Sequence, residues 1–471
     1  MRNHVQIAML ALALVAPATA PAQDPAAPGP SAGLREPRDG AAGERPTVAL
    51  WEALGDTTLS RLVEEALHAN QDVEVAGARV SGARAARLSA ALQLTPSVTA
   101  VSGFSRQQMA SPLVPGARDR LPEQSLWDAG LTAAWEVDVF GRLRGTLRGR
   151  DELTAAADEG LRDVRVLVAA QVAGAYFELR GAQERLAVAE RTAENQRGTL
   201  ELTKQRLEAG SGTALDTERA QAQLSATLAA IPTLEARISA AQHRIAVLTG
   251  RPPAALVSAL GASGPAIELP DAPVLPTPDV VVRDRPDVRG AEREVAASSA
   301  FVNAARAEYL PRLAIAGSAG YTGNTFESLG NQGTPRYTFG PVVSWPALDL
   351  GRVRAGVDAA RAEETEAKAR YEQTVLRSLE EVESALTTYR KARQRLQHLE
   401  DAAAASERAA ELARLRYVEG ASDFLPVLDA ERTLLDRQDA RALGRTEAMT
   451  GLVAVYRALG GARAFTTGGR R

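Results

Sequence analysis

The chain spells out one half-protein twice. Trp135-Glu136-Val137-Asp138-Val139-Phe140-Gly141-Arg142-Leu143-Arg144 returns 210 residues later as Trp345-Pro346-Ala347-Leu348-Asp349-Leu350-Gly351-Arg352-Val353-Arg354, with a Trp, a Gly and two Arg in register. The same offset carries Arg206 and Gly210 onto Arg416 and Gly420, Leu215 onto Leu425, and Leu248-Thr249-Gly250 onto Ala458-Leu459-Gly460. Upstream, Asp72-Val73 and Pro96 match Asp287-Val288 and Pro311 at an offset of 215. Solenoid modules are only about 20–50 residues long, so a unit of this size is a duplicated half-protein rather than a repeat array. Whatever fold the chain adopts must satisfy both halves with one order of elements.

Proline spacing and apolar periodicity supply that order. No proline occurs from Glu123 to Ile231 or from Ala347 to Leu425, and apolar residues recur at three-four spacing through both stretches. Leu161, Val164, Val168, Val172, Ala175, Leu179 and Leu186 form one coiled-coil seam; Val375, Leu379, Val382, Leu386, Tyr389 and Leu396 form the other. The pattern predicts long helices over about 141–208 and 350–418. At 1.5 Å per residue each is on the order of 100 Å long and needs neighbours to bury its stripe. Gly210 and Gly420 mark the turns that end them, and shorter return helices follow over about 213–249 and 423–459, capped by Thr213 and by Ser422 or Asp423. Pro232 is expected to kink the first return helix.

Ahead of each long helix the period changes from three-four to two. Trp127, Ala129, Leu131, Ala133, Trp135 and Val137 alternate with Asp128, Gly130, Thr132, Ala134, Glu136 and Asp138. Tyr337, Phe339, Pro341, Val343 and Trp345 repeat the pattern. Hairpins are therefore expected over about 96–138 and 311–346. The resulting map is repeat one over 51–250, a linker over 251–275, repeat two over 276–461 and a tail over 462–471.

The first residues read as an export signal, 1–22, with Arg2 and His4 ahead of the apolar run Val5 to Ala16 and small residues at the cleavage site. A Pro/Ala-rich extended arm follows over 23–50. No later stretch reaches the roughly 18 uninterrupted apolar residues of a membrane helix, but strands of about ten residues have the length of tilted barrel strands. Nine of the 20 aromatic residues lie in the windows 95–140 and 311–346, as expected of girdles at a membrane interface. Trp127, Leu131, Trp135, Tyr337, Phe339, Val343 and Trp345 form the candidate lipid-facing set. Four strands do not close a barrel, and an open sheet in lipid leaves backbone groups unsatisfied at several kcal/mol each. Several protomers sharing one barrel would resolve that and also bury the helical seams.

The absence of cysteine excludes thiol chemistry, disulfides and an acyl anchor on a cysteine, so attachment by the barrel alone is expected. The four histidines are scattered, and no nucleophile-base or metal spacing appears, so neither an enzyme nor a cofactor is expected. A net charge of -3 argues against nucleic acid as a partner.

Taken in order, Trp51-Glu52-Ala53-Leu54-Gly55-Asp56, Trp135 to Arg142, Arg285-Pro286-Asp287-Val288, Tyr309-Leu310-Pro311-Arg312-Leu313 and Leu428-Asp429-Ala430-Glu431-Arg432 resemble the TolC-like outer-membrane efflux family, in its OprM/NodT branch. The resemblance covers nearly all of the chain after Trp51. It implies a mixed α and β fold in which a homotrimer builds a twelve-stranded outer-membrane β-barrel, continued through the periplasm by an α-helical barrel. It also implies partners, a periplasmic adaptor and an inner-membrane pump of RND type. By the same resemblance Gly210, Ser211, Gly420 and Ala421 lie at adaptor-docking tips, and Leu425, Asp429 and Arg432 at the periplasmic gate, where Arg432 is within reach to pair Asp429. Two other readings stay open: the duct of a type I protein secretion system, and a periplasmic coiled-coil scaffold or adaptor without a barrel.

Overall fold

In the computed structural model the described residues are 51, 54–108, 122–261, 269, 282 and 284–461. The expected signal segment, arm and tail lie outside them, as does most of the expected linker. Helix α1 (Thr57–Ala69) starts where the Asp56 carboxylate accepts the backbone N–H groups of Thr58 and Leu59 at 2.9 and 3.0 Å. Helix α2 (Gln71–Leu92) starts in the same way on Asn70. Such caps satisfy donors that the first helical turn leaves without partners. Strands β1 (Ser97–Gln107) and β2 (Gln124–Val137) come next, then helix α3 (Arg142–Glu208) and its return α4 (Ala214–Leu248). The second half repeats the order with α5 (Pro286–Ala307), β3 (Arg312–Gly323), β4 (Pro335–Ser344), α6 (Leu350–Val418) and α7 (Leu425–Ala458).

The two halves meet in one antiparallel sheet of order β1-β2-β3-β4. The central pairing joins the repeats, with Trp127 opposite Gly323 and Val137 opposite Leu313. Among the described residues β1 and β4 are the sheet's edges, each with one row of backbone groups unpaired.

The helices pack as the seams require. Helix α3 lies against α2 and α5 along its first part and against α4 and α7 further on, while α6 lies against α5 and α7. Val168, Val172, Ala175 and Leu179 of the first seam and Val382, Leu386, Tyr389 and Leu396 of the second are buried, and the remaining seam members are half-buried. The main core gathers these with Leu59 and Leu62 of α1, Ile245 of α4 and Leu452 of α7. Each fully buried Leu or Ile contributes roughly 1.5–3 kcal/mol, which is what stabilises helices of 67 and 69 residues that no globular body surrounds on every side. The first part of the expected linker also belongs to this core. Leu256 and Leu260 are buried, and the Leu260 carbonyl accepts from the amides of Gln183 and Gln242.

Helix α4 carries Pro232 in its interior. One local expectation is corrected. Helix α7 has no side-chain cap from Ser422 or Asp423; Phe424 precedes its first residue instead, 2% exposed, with its ring 5.5 Å from that of Tyr417. Burial of an aromatic ring has taken the place of the cap hydrogen bond.

Candidate functional site

Three places in the fold bear on function: the sheet, the turns that end the long helices, and the exposed face of α7 after the second turn.

The ladder register separates the sheet into two faces. Trp127 stands opposite Phe104 and Gly323, Leu131 opposite Ala100 and Ala319, and Trp135 opposite Ile315. Ala319 pairs with Tyr337, Gly317 with Phe339 and Leu313 with Val343. Since paired residues share a face, the six candidate strand residues from Trp127 to Val343 lie on one apolar side, and Trp345 follows directly after β4. In the single chain Tyr337 is 86% exposed and Phe339 77% exposed, so this face is uncovered by the protein itself. The opposite face carries Thr99, Asp128, Thr132, Glu136, Ser318, Thr322, Arg336 and Thr338. On it Arg336 laces three strands together. Its Nε and Nη2 donate to Asp128 on β2 at 2.6–2.9 Å, and Nε also donates to Thr322 Oγ1 on β3 at 2.9 Å.

At the helix-proximal end of the sheet the duplication is visible in hydrogen bonds. Trp135 Nε1 donates to the Leu94 carbonyl at 2.9 Å, and Trp345 Nε1 donates to the Tyr309 carbonyl at 3.0 Å. Each indole ties a strand's end to the chain just past the preceding helix and leaves its ring on the apolar face. Arg142 forks onto Glu136 at 2.8 and 3.1 Å, and Asp138 accepts the N–H groups of Leu143 and Arg144 at the start of α3. Further along the helices, Arg285 is buried against Asp287, Glu381 and the Ala458 carbonyl, each within 2.9 Å. Burial alone would lower its pKa; the hydrogen bonds to Asp287 and Glu381 outweigh it and hold the guanidinium's pKa above its ordinary value. Trp51 meets Tyr456 edge to face at 5.2 Å. The Arg285 and Trp51 motifs thus fasten the chain around the ends of the helices.

The two turns are glycine caps of one kind. Gly210 has φ +73° and Gly420 φ +77°, the left-handed conformation that closes a Schellman motif. Gly210 and Ser211 N–H groups return to Leu207 and Arg206 carbonyls, and those of Gly420 and Ala421 return to Tyr417 and Arg416. Open space surrounds the α-carbons of both glycines. The turns are also joined to each other. Arg206 Nη2 donates to the Tyr417 carbonyl at 2.7 Å and to the Val418 carbonyl at 3.2 Å, with the guanidinium 4.1 Å from the Tyr417 ring centroid. Leu200, Leu224, Phe424 and Val427 build a small separate core beneath.

Leu425, Asp429 and Arg432 share an exposed face of α7. Among the described residues no ion pair joins Asp429 and Arg432 within the protomer; both are exposed, and Arg432 lines a cleft with Arg185, Gln223 and Asp436. On the other side of α7, Glu431 is turned inward, its Oε1 accepting the Thr199 hydroxyl of α3 at 3.0 Å, in a cleft of about 400 Å³. Burial raises the pKa of this carboxyl.

Sequence reasoning passed over three residue sets: the Arg206 clasp, the Arg336–Asp128 network and the Glu431–Thr199 bond. Arg206 carried a signal in its alignment with Arg416 at the end of the other long helix. The other two join residues on different elements and appear only once the register is known.

The model of the family described as outer membrane efflux protein matches residues 62–251 and 278–461. The chain is similar to the pyoverdine export outer membrane protein OpmQ of Pseudomonas putida, 30% identical over 468 residues, which span 98% of this chain and 97% of that protein. It is similar to the toluene efflux pump outer membrane protein TtgI of Pseudomonas putida, 29% identical over 87% of this chain and 86% of that one. The solved structure of the outer-membrane channel OprN superposes with a TM-score of 0.80 at 39% identity, over 91% of this chain and 98% of that one.

Proposed function

We propose, from the premise that the chain belongs to the outer membrane efflux protein family, that three copies assemble into a single duct which receives small molecules from a periplasmic adaptor and an inner-membrane RND-type pump. Membership makes the chain an outer-membrane efflux channel rather than an enzyme, built on the barrel and coiled-coil fold of that family. The trimer, its partners and the roles of individual residues are the proposal. The observation that carries it is the four-stranded sheet with one uncovered apolar face and two open edges. Three such sheets joined β1 to β4 give twelve strands, leave no edge, and turn the aromatic faces to lipid.

The same symmetry brings the turns of α3 and α6 to one end of the duct. There the backbone of Gly210, Ser211, Gly420 and Ala421 offers six small tips to an adaptor. Asp429 and Arg432, unpaired within the protomer, then face each other's copies around the threefold axis, with Leu425 beside them, and close the entrance by pairing between protomers. Relatives named for pyoverdine and toluene export support small-molecule cargo over protein secretion.

Fractionation tests the assembly. The protein is expected in the outer membrane as a heat-modifiable trimer, and its deletion is expected to sensitise cells to small toxic compounds without loss of a secreted protein. A soluble periplasmic monomer would overturn the proposal.

A further inference from the structure

The polar face of the sheet carries four charged residues among the described strand positions, and each is paired. Asp128 is held by Arg336, Glu136 by Arg142 and Arg312 by Glu308. The rest of that face is Ser, Thr, Gln, Gly and small or apolar side chains. Glu136 and Arg312 stand at the end of the sheet next to the helices, and their partners lie just outside the strands. Asp128 and Arg336 stand alone at the far end, four residues into β2 and one residue into β4. There the guanidinium meets both carboxylate oxygens at 2.6 Å and is further held by Thr322. This geometry fixes two opposite charges in one place without cancelling the capacity of either to act alone.

We infer that the Asp128–Arg336 pair sets the charge selectivity of the barrel's outer half: paired, it leaves the bore electrically silent, so that cations, anions and neutral cargo pass alike. The inference rests on the proposed trimer, in which the polar face becomes the bore and the pair becomes a ring of three. Breaking the pair uncovers three like charges at one level, positive if Asp128 is lost and negative if Arg336 is lost.

The lack of cysteine makes a direct test available. Thr338→Cys places the chain's one thiol on the polar face, opposite Ser318 and close to the pair. Its rates of reaction with a cationic and an anionic thiosulfonate, added outside whole cells, report the local potential independently of the periplasmic gate. In the otherwise native chain the ratio of the two rates is expected to equal that of a free thiol in the same salt. Three unit charges about 10 Å away in screened water shift that ratio roughly threefold. Asp128→Asn is therefore expected to favour the anionic reagent by that factor, and Arg336→Gln the cationic one. An unchanged ratio in both variants overturns the inference. Should a single neutralisation fail to assemble, the native pair decides alone, since a threefold departure from the free-thiol ratio contradicts a silent bore and equality supports it. Phe339→Cys on the other face separates the two levels of the argument: if it reacts as fast as Thr338→Cys, the barrel reading itself fails.

Discussion

Replacing Arg206 by Ala tests whether the two turns act as one tip. In the structure this guanidinium donates to two carbonyls at the end of α6 and lies over the Tyr417 ring. Carbonyls there carry the partial negative charge of the helix end, so the contact is a charge-assisted one. Because one nitrogen serves both carbonyls, they count as about one such bond, worth roughly 1.5–3 kcal/mol. The ring contact adds roughly 0.5–1 kcal/mol at a partly exposed site. Discounted for solvent, the loss is about 2 kcal/mol, or close to thirtyfold in a local opening equilibrium. Amide hydrogen exchange is the assay: the amides at Gly210 to Gly212 and at Gly420 and Ala421 should exchange some thirtyfold faster in Arg206→Ala, while those in the main core keep their rates. Arg416, its repeat counterpart, is exposed and its side chain makes no hydrogen bond or ion pair among the described residues, so Arg416→Ala should leave exchange unchanged. Equal effects of the two substitutions, or no effect of either, would refute the clasp. Cross-linking to the adaptor should fall with Arg206→Ala for the same reason.

Leu131→Arg puts a charge on the apolar face at a cost of roughly 2–4 kcal/mol per protomer near the midplane, whereas Thr132→Arg faces the other way; outer-membrane trimer yield should fall only in the first. Arg432→Glu sets like charges around the proposed threefold entrance, so single-channel conductance in planar bilayers should rise and cells should become more sensitive to large antibiotics; wild-type conductance with normal assembly would return the residue to an ordinary surface role. Glu431 has its pKa raised by burial, so the folded state binds its proton more tightly than the unfolded one. That contribution is present at low pH and is lost as pH rises from about 4.5 through the folded pKa. Glu431→Gln should therefore raise the melting temperature at neutral pH and flatten the fall in stability that begins above pH about 4.5, and an unchanged pH profile would count against the burial.

The duplication made the element order legible, because an offset that persists across a Trp-Gly-Arg segment and two glycine turns aligns helices and strands alike. The strand faces were legible for a simpler reason: a period of two leaves no choice once one aromatic is assigned a side. Pairing across strands of different repeats was not. Asp128 and Arg336 belong to different repeats at an offset of 208, not 210, and only the staggered register of β2, β3 and β4 brings them together. The cap at α7 was misjudged because Ser422 and Asp423 have good capping chemistry, whereas the deciding fact, the burial of Phe424 on Tyr417, is tertiary. Spacing put Asp429 and Arg432 on one exposed helix face, and residues three apart that share a face need not pair within a single protomer.

The central claim is that β1 of one protomer pairs with β4 of the next. Both strands are edges in the single chain, and the absence of native cysteine allows a clean trap. Paired cysteines, one introduced on β1 among Thr99, Val101 and Gly103 and one on β4 among Thr338, Gly340 and Val342, all on the polar face, scan the register of that junction. Oxidation in intact cells is predicted to give, for at least one pairing, a covalent ladder of dimer and trimer that resists boiling and collapses on reduction. Monomer alone across the whole scan, from protein that fractionates with the outer membrane, would contradict the shared barrel.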